Sequence, residues 1–150
     1  MRALIQRVHH AEVVVDDDVV GKIDKGLLVF LGVEPNDLLE DVDWLSGKLA
    51  RLRIFKDNDD LMNLSVNDID GNILVVSQFT LFASTKKGNR PSFTQSAKPD
   101  YANEMYQKFL EELTKLTGKK IEKGIFGADM KVSLLNDGPV TIMIDSKNKE

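Results

Sequence analysis

The chain has no cysteine, one tryptophan and four prolines among its 150 residues. Without cysteine there is no disulfide, no thiol nucleophile and no thiolate metal site, which suits a reducing compartment. No run approaches the roughly 20 consecutive apolar residues that a membrane-spanning helix needs. The opening Met1-Arg2-Ala3-Leu4-Ile5-Gln6-Arg7 has no long apolar segment of the secretory kind. A cytoplasmic protein is expected. Gly-x-Ser-x-Gly, P-loop and His-Glu-x-x-His patterns are all missing. The two histidines, His9 and His10, are adjacent, so on a regular strand they face opposite sides and cannot chelate one ion together. No metal or other cofactor is expected. One further absence is local: residues 71–99 hold no aspartate or glutamate, yet contain Lys86, Lys87, Arg90 and Lys98.

The hydrophobic content of 42% and charged content of 29% are those of an ordinary globular chain. A single domain over residues 1–150 is expected; at this size roughly 68–70% of the unfolded surface is buried on folding, enough for a core without staples. The net charge of −4 argues against indiscriminate nucleic-acid binding. Acids gather in Asp16-Asp17-Asp18 and over residues 57–60, leaving the acid-free segment as a basic patch. It reads either as a solvated loop or as a surface that meets phosphates.

Leu4, Gln6 and Val8 alternate with Ile5 and Arg7, and Val13-Val14-Val15 runs into the turn-forming aspartates. This predicts a first strand with residues 19–23 returning as its hairpin partner. The unbroken apolar run 27–33 predicts a strand buried on both faces. Leu38, Val42, Leu45, Leu49 and Leu52 fall on one helical stripe, with Asp37 the expected N-cap. Residues 53–55 start another strand before the turn at 57–60. Segments 61–66 and 73–79 flank Asp70-Gly71, which predicts a hairpin. The Gly/Pro/Ser/Lys-rich stretch 85–99 is a long loop, of a length that usually signals function or a partner. A second helix is predicted over 100–117, with Met105, Phe109, Leu113 and Leu116 on one face. Two final strands, around Met130 to Leu134 and Val140 to Ile144, are expected to be joined by a turn, with a frayed tail at 146–150. Many strands with two amphipathic helices imply sheets covered by helices on one side.

Two polar segments follow strongly apolar runs: Ser77-Gln78-Phe79-Thr80-Leu81 and Asn136-Asp137-Gly138-Pro139-Val140-Thr141. Neither contains a nucleophile–base pair, so a pocket built from them works through backbone groups and small hydroxyls. The plainer readings stay open beside this: Gln78 and Thr80 satisfying a strand end, and Asp137-Gly138-Pro139 forming a turn. A two-residue Asp-Gly hairpin is awkward there, because Pro139 donates no hydrogen bond and restricts the residue before it.

These two segments, with Arg90-Pro91-Ser92-Phe93, Met62-Asn63-Leu64 and the opening Ile5-Gln6-Arg7-Val8, resemble the signature segments of the D-aminoacyl-tRNA deacylases. The likeness covers nearly the whole chain, and the two principal motifs are specific in this order and separation. The resemblance implies an α/β fold in three layers, β/β/α, with mostly antiparallel sheets forming a barrel-like core and two main helices on one side. It implies a homodimeric hydrolase that cleaves the ester between a D-amino acid and the 3′-terminal adenosine of tRNA and also clears mischarged glycyl-tRNA. By the same resemblance Ser77, Gln78, Phe79 and Thr80 are the catalytic segment. Gly138-Pro139 is a cis dipeptide that sorts chirality in the partner subunit's pocket. Arg7 braces that dipeptide, and Ala102 and Phe126 line the adenosine pocket. Two other readings compete: a non-catalytic nucleic-acid-binding module using the acid-free segment, and a small-ester hydrolase with Thr80 as nucleophile.

Overall fold

The computed structural model describes residues 1–149. Its spine is β1 (Arg2–Val15). The first half of this strand pairs antiparallel with β3 (Gly26–Gly32) and the second half with β2 (Asp18–Ile23). Asp16 and Asp17 join β1 to β2 with φ of 49° and 67°, the left-handed pair a primed two-residue hairpin turn requires. On its other edge β1 pairs along most of its length with the last strand, β8 (Lys131–Asp145). The main sheet runs β2-β1-β3-β6-β7, where β6 is Asn72–Ser77 and β7 is Glu122–Lys123. β2 swings round to approach β7: a Cβ built on Gly21 would sit 2.5 Å from the Lys123 carbonyl oxygen. The sheet is thus a nearly closed barrel.

Two apolar cores result. Val8, Ala11, Val13, Ile23, Leu28, Leu74 and Val76 fill the barrel. Ala3, Ile5, Leu27, Val29 and Val75 face outward onto helices α1 (Leu39–Ala50) and α2 (Pro99–Thr117), which contribute Val42, Leu45, Leu49, Met105, Tyr106, Phe109 and Leu113. β3 sits between both cores, which explains its unbroken apolar run. This is the expected α/β arrangement, with both helices on one side of the barrel. Gly118 ends α2 in the left-handed conformation, φ 66°. No helix among the described residues is long and apolar enough to cross a membrane.

Several local expectations are corrected. Asp70-Gly71 does not close a hairpin: β5 (Met62–Leu64) pairs with β4 (Phe55–Lys56) across the turn at 57–60, and β6 runs parallel to β3. A strand buried on both faces belongs in the middle of a covered sheet, and that preference overrides the turn signal. Residues 131–145 form one strand rather than two, because both halves pair antiparallel with β1. His9 is an extra residue on β1, since Val8 and His10 face the consecutive Asn136 and Leu135. That bulge leaves both histidines exposed. Asp37 does not cap α1; Leu38 does, its N–H held by Asp41 Oδ2 at 2.8 Å. Leu52 falls beyond the helix, and Leu38 and Leu116 are exposed, so each predicted stripe is shorter than drawn.

Asp37 is instead buried against the Met1 ammonium, at 2.5 Å, and accepts from the Glu34 N–H. Ser146 Oγ accepts from the same ammonium at 2.8 Å and donates to Asp41 at 2.7 Å. The tail is therefore tied down at Ser146 and Lys147 rather than frayed from 146; Glu150 lies outside the described residues.

Burial pushes the Asp41 carboxyl up, but hydrogen bonds from Lys147, Ser146 and the Leu38 N–H, with the lysine charge, outweigh it and hold the group at about 2. A carboxyl held below its unfolded value stabilises the fold above that value and loses the contribution as pH falls toward 2. Asp37 is shifted the other way, raised first by burial. A difference curve isolates Asp41. The stability gap between wild type and Asp41→Asn, measured by urea unfolding, should be about 2 kcal/mol larger at pH 6 than at pH 2. A gap independent of pH would refute the assignment. Separately, a Cβ on Gly26 would lie 1.9 Å from the Asn72 carbonyl oxygen, backbone against backbone. Gly26→Ala should lower stability by about 3 kcal/mol, the upper end of overpacking costs, read as a shift in the urea midpoint.

Candidate active site

The parallel β3–β6 pair delivers Ser77 to the edge of the sheet, where Gln78 N–H still bonds the Leu31 carbonyl at 2.8 Å. The chain then tightens into a short 3-10 turn, Phe79–Phe82. The first N–H groups of such a turn have no acceptor within it, so those of Phe79 and Thr80 are free to serve another group. Gln78 Nε2 donates to Thr80 Oγ1, which ties the two side chains together.

Beside this turn lies a cavity of about 550 Å³, within the range of small-molecule sites. Ser77, Gln78 and Phe79 form one side; Ala102 and Tyr106 of α2 form another; Phe126 and Met130 close it opposite. The walls are mainly apolar. Tyr106 donates to the Val75 carbonyl at 2.8 Å, and burial pushes its phenol pKa up, so it remains a neutral, occupied donor. Phe126 tilts against Tyr106 at 5.9 Å between ring centroids. At the mouth, half-exposed Phe79 meets Phe93 edge to face at 5.0 Å. Ser96 lines the same cavity with a buried hydroxyl that has no hydrogen-bond partner. A second cleft, between Lys22, Asp70, Lys119 and Glu122, is polar, and its charges largely neutralise one another: Lys119 pairs with Asp70 and Lys120 with Glu122.

The expected residues fall into two places. Ser77, Gln78, Phe79, Ala102 and Phe126 share the cavity; Thr80 is exposed just beyond it. Arg7, Gly138 and Pro139 are absent from its walls and form a second constellation. Gln6 pairs with Thr141 while Val8 pairs with Asn136, so residues 137–140 are thrown out as a bulge opposite Arg7. Gly138-Pro139 is a cis peptide, Gly138 has φ 116°, and both residues are exposed. Arg7 lies buried beneath them. Its Nη1 donates to the Ile54 carbonyl, and its Nε stands 2.9 Å from Asp137 Oδ2, near enough for an ion pair though not aligned as a hydrogen bond. A Cβ on Gly138 would come within 2.7 Å of Arg7 Nη2. Asn136 Nδ2 donates to the carbonyls of Arg7 and Val140 at 3.0 and 3.1 Å, pinning both feet of the bulge.

Sequence reasoning missed Asn136 as the clamp, and Ser96, Tyr106 and Met130 as cavity walls. The signal for Asn136 was its place in the motif. Ser96 gave none, because only the fold turns it inward.

Comparison with known proteins gives the family. The family model described as D-Tyr-tRNA(Tyr) deacylase matches residues 4–145. A D-aminoacyl-tRNA deacylase of Flavobacterium johnsoniae is 61% identical over 150 residues, covering all of both chains. One from Parabacteroides distasonis is 57% identical with the same coverage. Among solved structures, a c-Myc DNA Unwinding Element Binding Protein superposes with TM-score 0.91 at 38% identity, covering 97% of this chain and 98% of that one. A fold nearly closed on itself beside an apolar cavity with a polar turn at its edge is thus that of an aminoacyl-ester hydrolase class. The chain belongs to the D-aminoacyl-tRNA deacylase family.

Arg7 serves Ile54 and Asp137 at once from a buried position. Arg7→Ala should therefore destabilise the fold by about 3 kcal/mol, the cost of stripping one partner from a buried pair. Chemical denaturation checks it; a change under about 0.5 kcal/mol, the surface-substitution level, would rule out the brace.

Proposed function

We propose that the protein hydrolyses the ester linking a D-amino acid to the 3′-terminal adenosine of tRNA. The observation that carries this reading is the Ser77–Thr80 turn at the edge of a nucleoside-sized apolar cavity, in a chain of this family. The ester sits beside a ribose 2′-hydroxyl and is already an activated acyl group, so the main tasks are positioning and stabilising the oxyanion. Water oxygen bonds to the carbonyl carbon, the bond to the ribose 3′-oxygen breaks, and that oxygen takes a proton as the amino acid leaves. The Phe79 and Thr80 N–H groups are the oxyanion donors in this scheme; Ser77, Gln78 and Thr80 side chains orient water and ribose.

Gly138 and Pro139 act on a second copy of the chain. Supporting this, they are exposed and contribute nothing to their own subunit's cavity, so a homodimer with cross-subunit sites would use them. Placed against the substrate α-carbon, a braced main-chain wall collides with an L-side chain and leaves a D-side chain free. Glycine, with no side chain, passes the same filter, so mischarged glycyl-tRNA is a second substrate. A tRNA substrate puts the protein in the cytoplasm. The similarity to a protein named for DNA binding favours a second reading, nucleic-acid binding without turnover.

Deacylation of matched D- and L-aminoacyl-tRNA by the purified protein tests all of this. The D-substrate should be turned over more than about 200-fold faster, beyond what a methylene-sized difference in pocket binding supplies. Binding without turnover would establish the second reading instead. Ser77→Ala and Thr80→Ala should each lower kcat/KM by no more than about 10³-fold, the scale of a lost oxyanion contact. A loss near 10⁶-fold, as when a covalent nucleophile is removed, would make Thr80 that nucleophile. Sedimentation should give twice the mass of one chain.

A further inference from the structure

A cavity of about 550 Å³ that takes the terminal nucleoside and its acyl group, as proposed above, leaves the rest of any tRNA to exit through the mouth. The mouth is electrostatically lopsided. Its 126–130 side carries Asp129, exposed and paired only with Lys131. The opposite side is formed by Phe93, Ala97 and Pro99, which belong to the long loop before α2. Backbone bonds between Ser84 and Ser92, 2.8 and 2.9 Å, pinch the base of that loop. Residues 85–91 then form an exposed tip carrying Lys86, Lys87 and Arg90, while Lys98 sits between two cavity-lining residues. None of these four side chains makes a hydrogen bond or ion pair among the described residues; Lys25, Arg51 and Lys123 are also unpaired but are scattered, whereas these four share one stretch of chain that holds no acid. Arg90 is three residues from Phe93, at most about 10 Å of chain. In a protein of net charge −4, this stretch, which ends beside the exposed Asp100, is the segment least repellent to a polyanion.

We propose that this loop is a phosphate track for the single-stranded acceptor end of the tRNA, leading it along Lys86, Lys87, Arg90 and Lys98 into the cavity. The proposal rests on the reading of the cavity as the aminoacyl-adenosine site. Unpaired cations on a tip fit a flexible sugar–phosphate strand, which needs charge more than shape.

The test compares wild type with the triple variant Lys86→Ala, Lys87→Ala, Arg90→Ala and with the charge-reversed Lys86→Glu, Lys87→Glu. Each is assayed on D-aminoacyl-tRNA and on D-aminoacyl-adenosine, which has no internucleotide phosphate, over a range of salt. Melting temperatures should match wild type, because these exposed side chains make no hydrogen bond or ion pair among the described residues. For tRNA, KM should rise at least tenfold in the triple variant and further in the reversed one, with kcat little changed. The slope of log kcat/KM against log salt should flatten by about 2, at roughly 0.7 per single-strand phosphate contact. The loss on D-aminoacyl-adenosine should be at least tenfold smaller. Equal losses on both substrates, or an unchanged salt slope, would overturn the track while leaving the deacylase reading intact. A wild-type protein that turns over neither substrate takes both readings down. Turnover of tRNA alone leaves the salt slope to decide.

Discussion

Nearly everything in this molecule is referred to one strand. β1 supplies hydrogen bonds to β2, β3 and β8, separates the barrel core from the helix-covered core, and carries Arg7 where β8 bulges. Its side chains show how: Ala3 and Ile5 serve the outer core, Val8 serves the inner one, and the extra residue at His9 restores the phase for Ala11 and Val13. Without that bulge the later residues would present the wrong face to the barrel. Arg7 stands at the changeover. A guanidinium suits the position because its fork reaches both the Ile54 carbonyl and Asp137, which one ammonium cannot span in fixed geometry.

The same economy marks the site. The cavity has few polar groups and its one buried phenol is committed to a carbonyl, so a substrate meets mostly apolar wall and a short edge of backbone N–H groups and hydroxyls. Among the residues lining the cavity there is no histidine, lysine or cysteine to activate or act as a nucleophile. The Ser77–Thr80 turn is anchored through Gln78 to β3, at the centre of the sheet, rather than on a free loop.

Much of this was legible in sequence because local chemistry and tertiary environment agreed. The double aspartate turn, the doubly buried β3 and the two helices read correctly, and of the expected segment Ser77–Thr80 the first three residues line the cavity while Thr80 lies outside it. The failures have a common cause. Asp70-Gly71 turns the chain and Asp137-Gly138-Pro139 only bulges out of β8, because what flanks a turn sequence is set by the sheet. β6 joined β3 because only there are both of its faces covered, and the two halves of β8 stayed collinear because both find β1. Asp37 looked like a cap for the helix beside it, yet the buried ammonium made a stronger claim. Ser96 gave no signal because only the fold turns it into the cavity, and the clamp role of Asn136 was hidden because one of its two partners, the Arg7 carbonyl, is distant in the chain.

β8 also bears on assembly. Among the described residues its outer edge has no strand partner, and its exposed face carries Leu135 and Met143, each 50% accessible. A fifteen-residue edge of this kind invites another strand to pair with it. The bulge at 137–140 answers that liability, since Pro139 offers no N–H and the displaced backbone interrupts any continuous ladder. The feature that blocks indiscriminate pairing is therefore the one that presents Gly138-Pro139 outward. A partner that docks here must accommodate the protrusion. Protection of the edge and the outward set of Gly138-Pro139 are one structural device, held from beneath by Arg7 and Asn136.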